Sequence, residues 1–347
     1  MLKSMSGSLS EWRASLSGRK AVIRCILIKG PHCGQNRLIV LLYKVMNNIE
    51  ISRSRVEKLL PGYVSSGVYD LSEALLAVIE QSLLGETFAD FEWLIIDCSC
   101  FGDLTVLKEM PNLKRLELSS LKAEQFEALR GTNQLEFLCI SGGLPPEAFK
   151  NVILPNLEEL NLSDCHIPDL GGANTFSKLK DLELENSVFH DEVLEGISGI
   201  RSLRSVSLYD CRITSIEPFQ ECEELRRFDL SWTQVSDLSS LRNHPHIERL
   251  FLNGCPVTDI GPIADLVELK ELELIGTRPS NLSPLSNHQS LLTVNLSHCE
   301  LPDLTPLVNS TRPMNVVVDW KSLPFWQKRA LNKAKYIRTV KLHQGVV

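Results

Sequence analysis

The chain has 347 residues, of which 43% are apolar and 23% are charged, and its formal net charge is −7. This length and apolar content suffice for one large or two ordinary globular domains. No run of about 18 apolar residues occurs in the sequence, which argues against a membrane-spanning helix.

The charge is distributed unevenly along the chain. Residues 1–60 contain 11 basic and 3 acidic residues, and residues 320–347 contain 7 basic residues and no acidic one. Positions 61–319 therefore hold 18 basic and 40 acidic residues. An acidic centre disfavours nucleic acid as a partner, so an anionic partner is expected only at the two ends.

Residues 1–20 are Ser-rich and basic and are predicted to be a flexible tail. They lack the apolar core of a secretory signal, and two alternatives remain open, a mitochondrial transit peptide or a plain tail. Without a secretory signal, the ten cysteines indicate a reducing compartment. We expect an intracellular and cytoplasmic protein, with mitochondria as the alternative.

Residues 21–90 are predicted to form an N-terminal α/β capping region. The apolar stretches before residue 50 suggest strands or a strand–helix pair, and residues 51–62 and 69–86 read as helices. The loop "KGPHCGQN" between the apolar stretches lacks the Lys-Ser/Thr pair of a phosphate-binding loop, so it is interpreted as a turn.

A repeat of 22 residues dominates the rest of the chain. The pattern L-x-x-L-x-L begins at ten successive positions: Phe91, Leu113, Leu135, Leu157, Leu179, Leu203, Leu225, Ile247, Leu269 and Leu291. Eight of the nine intervals are 22 residues and one is 24 residues, and a degenerate copy begins at Pro313. Such a period indicates a stack of supersecondary units that share one core.

Copies such as "LRRFDLSWTQVSDLSSL" and "IERLFLNGCPVTDIGPI" resemble the leucine-rich repeat family, in particular its internalin-like and phosphatase-regulator-type 22-residue subclass. The resemblance covers residues 91–320. It implies an α/β solenoid, a horseshoe or arc with a parallel concave β-sheet and 3₁₀ or short helices on the convex side. It also implies a binding scaffold.

Each copy carries signals for a short strand and a turn. Twelve residues after most starts stands a residue that is able to cap the following turn: Asp103, Asp169, Asp191, Ser215, Asp237, Asp259, Asn281 or Asp303. Residues 121–130 and 189–197 are predicted to be amphipathic helical turns. The Pro-containing copies from residue 203 onward predict 3₁₀ turns. Residues 321–347 are predicted to be a basic C-terminal cap of one helix and one strand.

Cysteines recur at the eighth position after the start of every second repeat, at Cys165, Cys211, Cys255 and Cys299. Parallel strands lie about 5 Å apart, so these cysteines should lie about 10 Å apart, too far for the roughly 7 Å that a disulfide spans. A linear ladder also cannot converge on one zinc ion. We predict small buried residues and no metal site.

Exposed aromatic residues on the concave face have no evident role in folding. Tyr209, Trp232 and Phe251 come from successive repeats, with arginines nearby, and interface hot spots are enriched in this combination. The candidate partner-binding residues are Tyr209, Asp210, Arg226, Arg227, Asp229, Trp232, Arg249 and Phe251.

Catalytic and dinucleotide-binding motifs are absent from the sequence, so no enzyme activity, cofactor or small-molecule substrate is expected. The leading hypothesis is a noncatalytic scaffold or adaptor that binds a protein in the concave face. One alternative is a regulatory or substrate-recognition subunit of a phosphatase or ubiquitin ligase, by family analogy. A third is contact of the basic C-terminal segment with RNA or an acidic surface.

Overall fold

The computed structural model describes residues 22–24, 43–44, 49–50, 92–98, 104–149, 151–171, 175–301 and 303–342. The predicted tail at 1–20 and the predicted helices at 51–62 and 69–86 lie outside these residues. The chain divides into two compact units, Met1–Leu138 and Cys139–Val347. The division falls inside the predicted repeat region, and the domain boundaries taken from the sequence stay predictions.

The first unit contains the early repeats. Strand β1 (Val22–Arg24) pairs in parallel with β4 (Trp93–Asp97), which pairs in parallel with β5 (Arg115–Ser119). Strands β2 (Tyr43–Lys44) and β3 (Ile49–Glu50) form a separate antiparallel pair. A 3₁₀ helix follows β4 at Thr105–Glu109, and helix α1 (Ala123–Phe126) with a 3₁₀ turn at Glu127–Leu129 follows β5.

Strand β6 (Phe137–Ser141) begins at the end of the first unit, and the second unit continues with one strand per repeat. These are β7 (Glu159–Asn161), β8 (Asp181–Glu183), β9 (Ser205–Ser207), β10 (Arg227–Asp229), β11 (Arg249–Phe251), β12 (Glu271–Glu273), β13 (Thr293–Asn295), β14 (Met314–Asp319) and β15 (Ile337–Leu342). Neighbouring strands are parallel and follow sequence order. The predicted strand positions and the predicted fold class are confirmed.

The register follows from the repeat, because equivalent positions of successive copies lie side by side. Arg227 pairs with Ser205 on one side and with Arg249 on the other. The apolar positions of the pattern, such as Leu225, Phe228 and Leu230, are fully buried. In the core, the rings of Phe219 and Phe228 meet edge to face with centroids 5.1 Å apart.

The connections of the second unit are mostly 3₁₀ helices. They span Asp191–Ile197, Glu217–Phe219, Ser239–Asn243, Gly261–Asp265 and Ser283–Leu285, followed by helix α2 (Thr305–Val308) and helix α3 (Phe325–Lys333). Two of the helix-type predictions are wrong. The copy at 189–197 is 3₁₀, and it packs closely on the preceding repeat: a Cβ at Gly196 would overlap the carbonyl oxygen of Gly171. The Pro306 copy is one α-turn, since proline fits the first turn of either helix type.

The polar residues predicted to cap these turns accept hydrogen bonds from the N–H two residues later at six positions: Asp169, Ser215, Asp237, Asp259, Asn281 and Asp303. Asp103 lies outside the described residues, and Asp191 is the exception. Its carboxylate accepts the N–H of Thr214 in the next repeat, at 3.1 and 3.2 Å. Here the polar residue joins two repeats instead of capping its own turn.

Candidate functional site

A column of left-handed residues borders the sheet of the second unit. Seven positions after each repeat start, φ is positive at Asp164, Asn186, Asp210, Trp232, Gly254, Gly276 and His298. The N–H of Trp232, for example, donates to the carbonyl oxygen of Asn253 in the next repeat at 2.6 Å. The left-handed region suits glycine, asparagine and aspartate, whereas a bulky residue there is an outlier. Trp232, with φ of 63°, is that outlier.

The indole ring of Trp232 lies on the backbone of Gly254. A Cβ added at Gly254 would overlap Cε3 of the ring and would lie 2.8 Å from Cζ3 and 2.9 Å from Cδ2. A Cβ at the next residue of the column, Gly276, would meet no atom within 4 Å. Trp232 nevertheless remains 53% exposed. The ring of Trp232 therefore packs on the backbone of Gly254, and the rest of the side chain faces solvent.

A second group links two neighbouring strands beside Trp232. The guanidinium of Arg227 lies 4.9 Å from the ring centroid of Phe251 and 3.4 Å from the carboxylate of Asp229. Asp229 also accepts the N–H of Ser231 at 3.0 Å. A cation over an aromatic ring is attracted by the ring quadrupole, so these contacts orient Arg227, Asp229 and Phe251 in the free protein.

The remaining candidate residues surround this group without joining it. Arg226 contacts Glu248 at 3.1 Å, and Arg249 contacts Glu271 at 3.6 Å. Lys270 donates to Glu248 as well, and this hydrogen bond is the main cause that lowers the pKa of Glu248. Exposed ion pairs of this kind contribute little to stability.

Tyr209 and Asp210 lie one repeat before Trp232. The Tyr209 side chain is 37% exposed, and the N–H of Asp210 donates to the carbonyl oxygen of Ser231 at 2.9 Å. The eight residues chosen from the sequence thus lie on three successive repeats, but only Arg227, Asp229 and Phe251 contact one another through described side-chain interactions.

The sequence analysis overlooked one part of this face. Asp181, Glu183 and Glu185 lie two, four and six positions after the start of one repeat, so their side chains lie on one face of the sheet. Partial burial raises the pKa of Asp181, with repulsion from Glu159 as the next cause. The pKa of Glu183 is raised by partial burial and then by repulsion from Glu185. The alternating letters of "DLELE" were the available signal.

The cysteine ladder is built from hydrogen bonds to the preceding repeat. The thiols of Cys165, Cys211, Cys255 and Cys299 donate to backbone carbonyl oxygens 25 or 27 residues earlier, at 3.1, 2.9, 2.9 and 2.8 Å. Thr233 and Thr277, at the same repeat position, donate to carbonyl oxygens of their own strands at 2.7 and 2.6 Å. The cysteines therefore connect successive repeats through their thiols.

Burial makes these thiols poor nucleophiles. It raises the pKa of Cys165 and Cys211 to about 11 and that of Cys222 to about 12. Within the part of the chain that the structure describes, no group of three or more His, Cys, Asp or Glu residues is placed to hold a metal ion.

Fold and site define a repeat protein in which each 22-residue unit adds one strand to a parallel sheet and displays side chains from it. A family model for the leucine-rich repeat matches residues 154–174. Leucine-rich repeat-containing G-protein coupled receptor 5 of Rattus norvegicus is 30% identical over 145 residues, which are 39% of this chain and 16% of the receptor. The chain thus matches only a small part of this relative.

Two solved structures share the fold. An internalin (inlF) from Listeria monocytogenes aligns with a TM-score of 0.58 and 19% identity, over 82% of this chain and 89% of the internalin. The ectodomain of the plant receptor kinase GASSHO1/SCHENGEN3 from Arabidopsis thaliana aligns with a TM-score of 0.51 and 18% identity, over 73% of this chain and 35% of that one. The 22-residue repeat, the strand register and these comparisons show that the chain has the leucine-rich repeat fold.

The described helices are also relevant to the membrane question. Among them, none is long and apolar enough to cross a lipid bilayer.

Proposed function

We propose that this protein is a noncatalytic interaction scaffold or adaptor that binds a protein partner on the solvent face of its sheet. The contact residues are the aromatic patch, defined as Tyr209, Trp232 and Phe251, and the polar residues around it. These are Asp210, Arg226, Arg227, Asp229 and Arg249.

The observation that carries the proposal is the conformation of Trp232. A non-glycine residue in the left-handed region costs about 1 to 2 kcal/mol, and Asp, Asn or Gly fill the same position in the adjoining repeats. The ring of Trp232 packs on Gly254 and stays 53% exposed, so the apolar surface that it buries at most offsets this strain. Strained residues of this kind mark functional sites, and tryptophan is the residue type most enriched in interface hot spots.

The contacts around Arg227 support the same use of the surface. Because Asp229 and Phe251 hold the guanidinium in the free protein, little side-chain freedom remains to be lost on binding. Because Arg227 and Phe251 are already oriented in the free protein, they are suited to bind the surface of another protein. The ectodomain of the plant receptor kinase, which shares this fold, was solved in complex with CASPARIAN STRIP INTEGRITY FACTOR 2.

Capture of partners from a cell extract by the full-length chain, with quantitative mass spectrometry, tests the proposal. We expect Trp232→Ala with Phe251→Ala to reduce capture of a specific protein at least tenfold, since each hot spot contributes about 2 kcal/mol. Val267→Ala with Leu292→Ala is the matched control, because both residues are exposed aliphatics of the same unit.

Unchanged capture by the aromatic double variant, with thermal unfolding preserved, would disprove the role of the aromatic patch. A stoichiometric phosphatase or ubiquitin ligase among the captured proteins would favour the regulatory-subunit alternative. We also propose an intracellular location, because the thiols of Cys165, Cys211, Cys222, Cys255 and Cys299 form no disulfide, as expected in a reducing compartment.

A second candidate function concerns the C-terminal segment, Lys321–Lys341. None of its seven basic side chains forms an ion pair with a described residue, whereas arginines throughout the repeats do. Phe325 and Trp326, at the start of α3, are 78% and 53% exposed. Unpaired cations beside exposed aromatic rings fit an anionic surface.

Binding of the full chain to vesicles containing phosphatidylserine, and separately to a single-stranded RNA oligomer, tests this second function. We expect binding that weakens with salt and with Arg329→Glu and Lys333→Glu, but not with Lys114→Glu. Equal losses in both sets of variants would argue against a localised site.

A further inference from the structure

The solvent face of the sheet contains a trough beside the aromatic patch. Its floor is β9, where Ser205 and Ser207 supply the outward side chains, and Ser207 is buried. In the register, Ser205 lies between Asp181 and Arg227, and Ser207 lies between Glu183 and Asp229. Because neighbouring strands are about 4.8 Å apart, two serines between longer side chains leave a channel one strand wide. We call it the serine trough.

One wall of the serine trough is acidic, and its carboxylates form no direct ion pair with a described residue. Among the described residues, no cationic side chain forms an ion pair with Asp181, Glu183 or Glu185. The nearby cations are engaged elsewhere: Lys180 contacts Glu158 at 2.7 Å, and Arg204 contacts Glu224 at 3.6 Å.

The opposite wall differs in this respect, since Asp229 is paired with Arg227. The carboxylates without an ion pair are thus confined to one side. Partial burial and repulsion from neighbouring carboxylates raise the pKa of Asp181 and of Glu183, and they outweigh the attraction of Lys180 and Arg204 for Asp181 and of Arg227 for Glu183.

The carboxylates reach over the floor of the trough. The hydroxyl of Ser207 donates to Glu185 Oε1 at 2.7 Å, which places this carboxylate above β9. The Nδ2 amide of Asn161 donates to Glu183 from the other side. These hydrogen bonds orient the carboxylates of Glu183 and Glu185 but add no positive charge. A cation that lies in the trough would therefore find two carboxylates that are already oriented to bind it.

A second observation comes from the end of the trough at the aromatic patch. Ser231 occupies the same repeat position as Tyr209, and it is only 1% exposed. Its hydroxyl is buried and has no hydrogen-bond partner. A buried polar group without a partner carries a desolvation cost, which a polar group from a bound molecule would relieve. Glu185 and Ser231 are each six residues after their repeat start and lie on either side of Tyr209, so the acids and this hydroxyl flank the same trough.

We infer that the serine trough binds an extended basic segment of the partner protein. A lysine or arginine of the segment contacts Asp181, Glu183 and Glu185, and an apolar side chain packs against Trp232. The inference rests on the proposed function, because it assigns the chemistry of the partner at the same face. An acidic segment is rejected by the three carboxylates, and a purely apolar one leaves them without a counterion.

Fluorescence anisotropy with labelled peptides tests this inference on the full chain. The probes are a lysine-rich peptide with one tryptophan, its glutamate-rich counterpart and a glycine–serine peptide with the same tryptophan. We expect only the lysine-rich peptide to bind, with an affinity that falls as salt rises.

Asp181→Asn with Glu183→Gln removes two charges with little change of shape. At about threefold per exposed ion pair, the loss of two pairs should reduce the affinity for the lysine-rich peptide about tenfold. Glu192→Gln with Glu195→Gln is the matched control, because both residues are exposed, belong to the same repeat and lie in its 3₁₀ connection instead of the sheet. The control should change affinity less than twofold. Circular dichroism checks that both variants fold.

Equal losses in the two double variants would overturn the inference, because binding would then follow the overall negative charge. Binding of the glutamate-rich peptide, or no effect of the Asp181 and Glu183 changes, would overturn it as well. If cellular capture depends on Trp232 but not on the carboxylates, the proposed function stands and this inference fails. If the peptide needs the carboxylates but capture ignores Trp232 and Phe251, the proposed function fails instead.

Discussion

Gly254→Ala tests the central geometric feature of the candidate site, the packing of the Trp232 ring on Gly254. The substitution introduces two costs that the structure separates. The backbone at Gly254 has a φ of +69°, which costs an L-residue about 1 kcal/mol. The new Cβ also collides with the indole ring, so the Trp232 side chain must move away from residue 254 and lose the packing of one ring face. For a contact between neighbouring residues, we set this loss at about 1 kcal/mol.

Gly276→Ala is a control with the same backbone geometry, since its φ is +72° and its Cβ would meet no atom within 4 Å. We therefore expect Gly276→Ala to lower the free energy of unfolding by about 1 kcal/mol and Gly254→Ala to lower it by about 2 kcal/mol. In a Trp232→Ala background the two glycine variants should become equal. Urea denaturation followed by circular dichroism measures all six combinations, provided that the m-values agree.

Two outcomes would refute the reasoning. Equal destabilisation by Gly254→Ala and Gly276→Ala in the otherwise unchanged protein would mean that the ring does not lie on Gly254. A difference that persists without Trp232 would place the cost of Gly254→Ala elsewhere in the turn.

Four further predictions concern stability, pH and reactivity. Trp232→Asn should keep or raise the free energy of unfolding while reducing partner capture; parallel losses of both would contradict a purely functional role. Phe228→Ala should cost about 3 to 5 kcal/mol in urea denaturation and Phe251→Ala less than about 1 kcal/mol, because only the former ring is fully buried. Burial lowers the pKa of His244, so its contribution to stability is present above pH 6.5 and is lost as the pH falls; His244→Gln should flatten this dependence. The Cys222 thiol, with a pKa of about 12, should resist a thiol reagent at pH 8 until the chain is unfolded; rapid native labelling would contradict its burial.

The repeat period alone predicted a large part of the fold. Equal spacing means equal structural position, so the sequence specified that Arg227 would lie beside Arg249 and that Phe228 would face the core, as the structure confirms. The capping residues followed from the same logic, except at Asp191, whose carboxylate reached the next repeat. Such a choice between two nearby N–H groups depends on the stacking distance, which no sequence pattern encodes.

The site was less predictable because its key features depend on conformation. The period locates Trp232 seven residues after a repeat start, but it does not reveal a left-handed backbone or a ring resting on Gly254. The acidic wall at Asp181 and Glu183 was overlooked because its significance lies in the absence of nearby pairing among the described residues, which only coordinates reveal. The residue types indicated which face of the sheet holds the candidate site. The contacts in the structure then distinguished charged side chains that form ion pairs from those that do not.

The different requirements of the repeat positions explain why we expect function where the repeats differ. At the eighth position a cysteine or a threonine donates a hydrogen bond to a nearby backbone carbonyl oxygen. Either residue type suits the position, because only this one hydrogen bond is required. At the seventh position the left-handed turn favours a small or polar residue, and Trp232 departs from this preference at a cost in stability. At the second, fourth and sixth positions the fold requires only an outward side chain, so charge is free to vary, and here the acids of one repeat stand beside the serines of the next. We therefore expect a binding surface where a residue does not suit the backbone conformation of its repeat position, or where a charged residue forms no ion pair although charged residues of other repeats do. The serine trough meets both conditions, because it lies beside Trp232 and is bordered by carboxylates without an ion pair among the described residues.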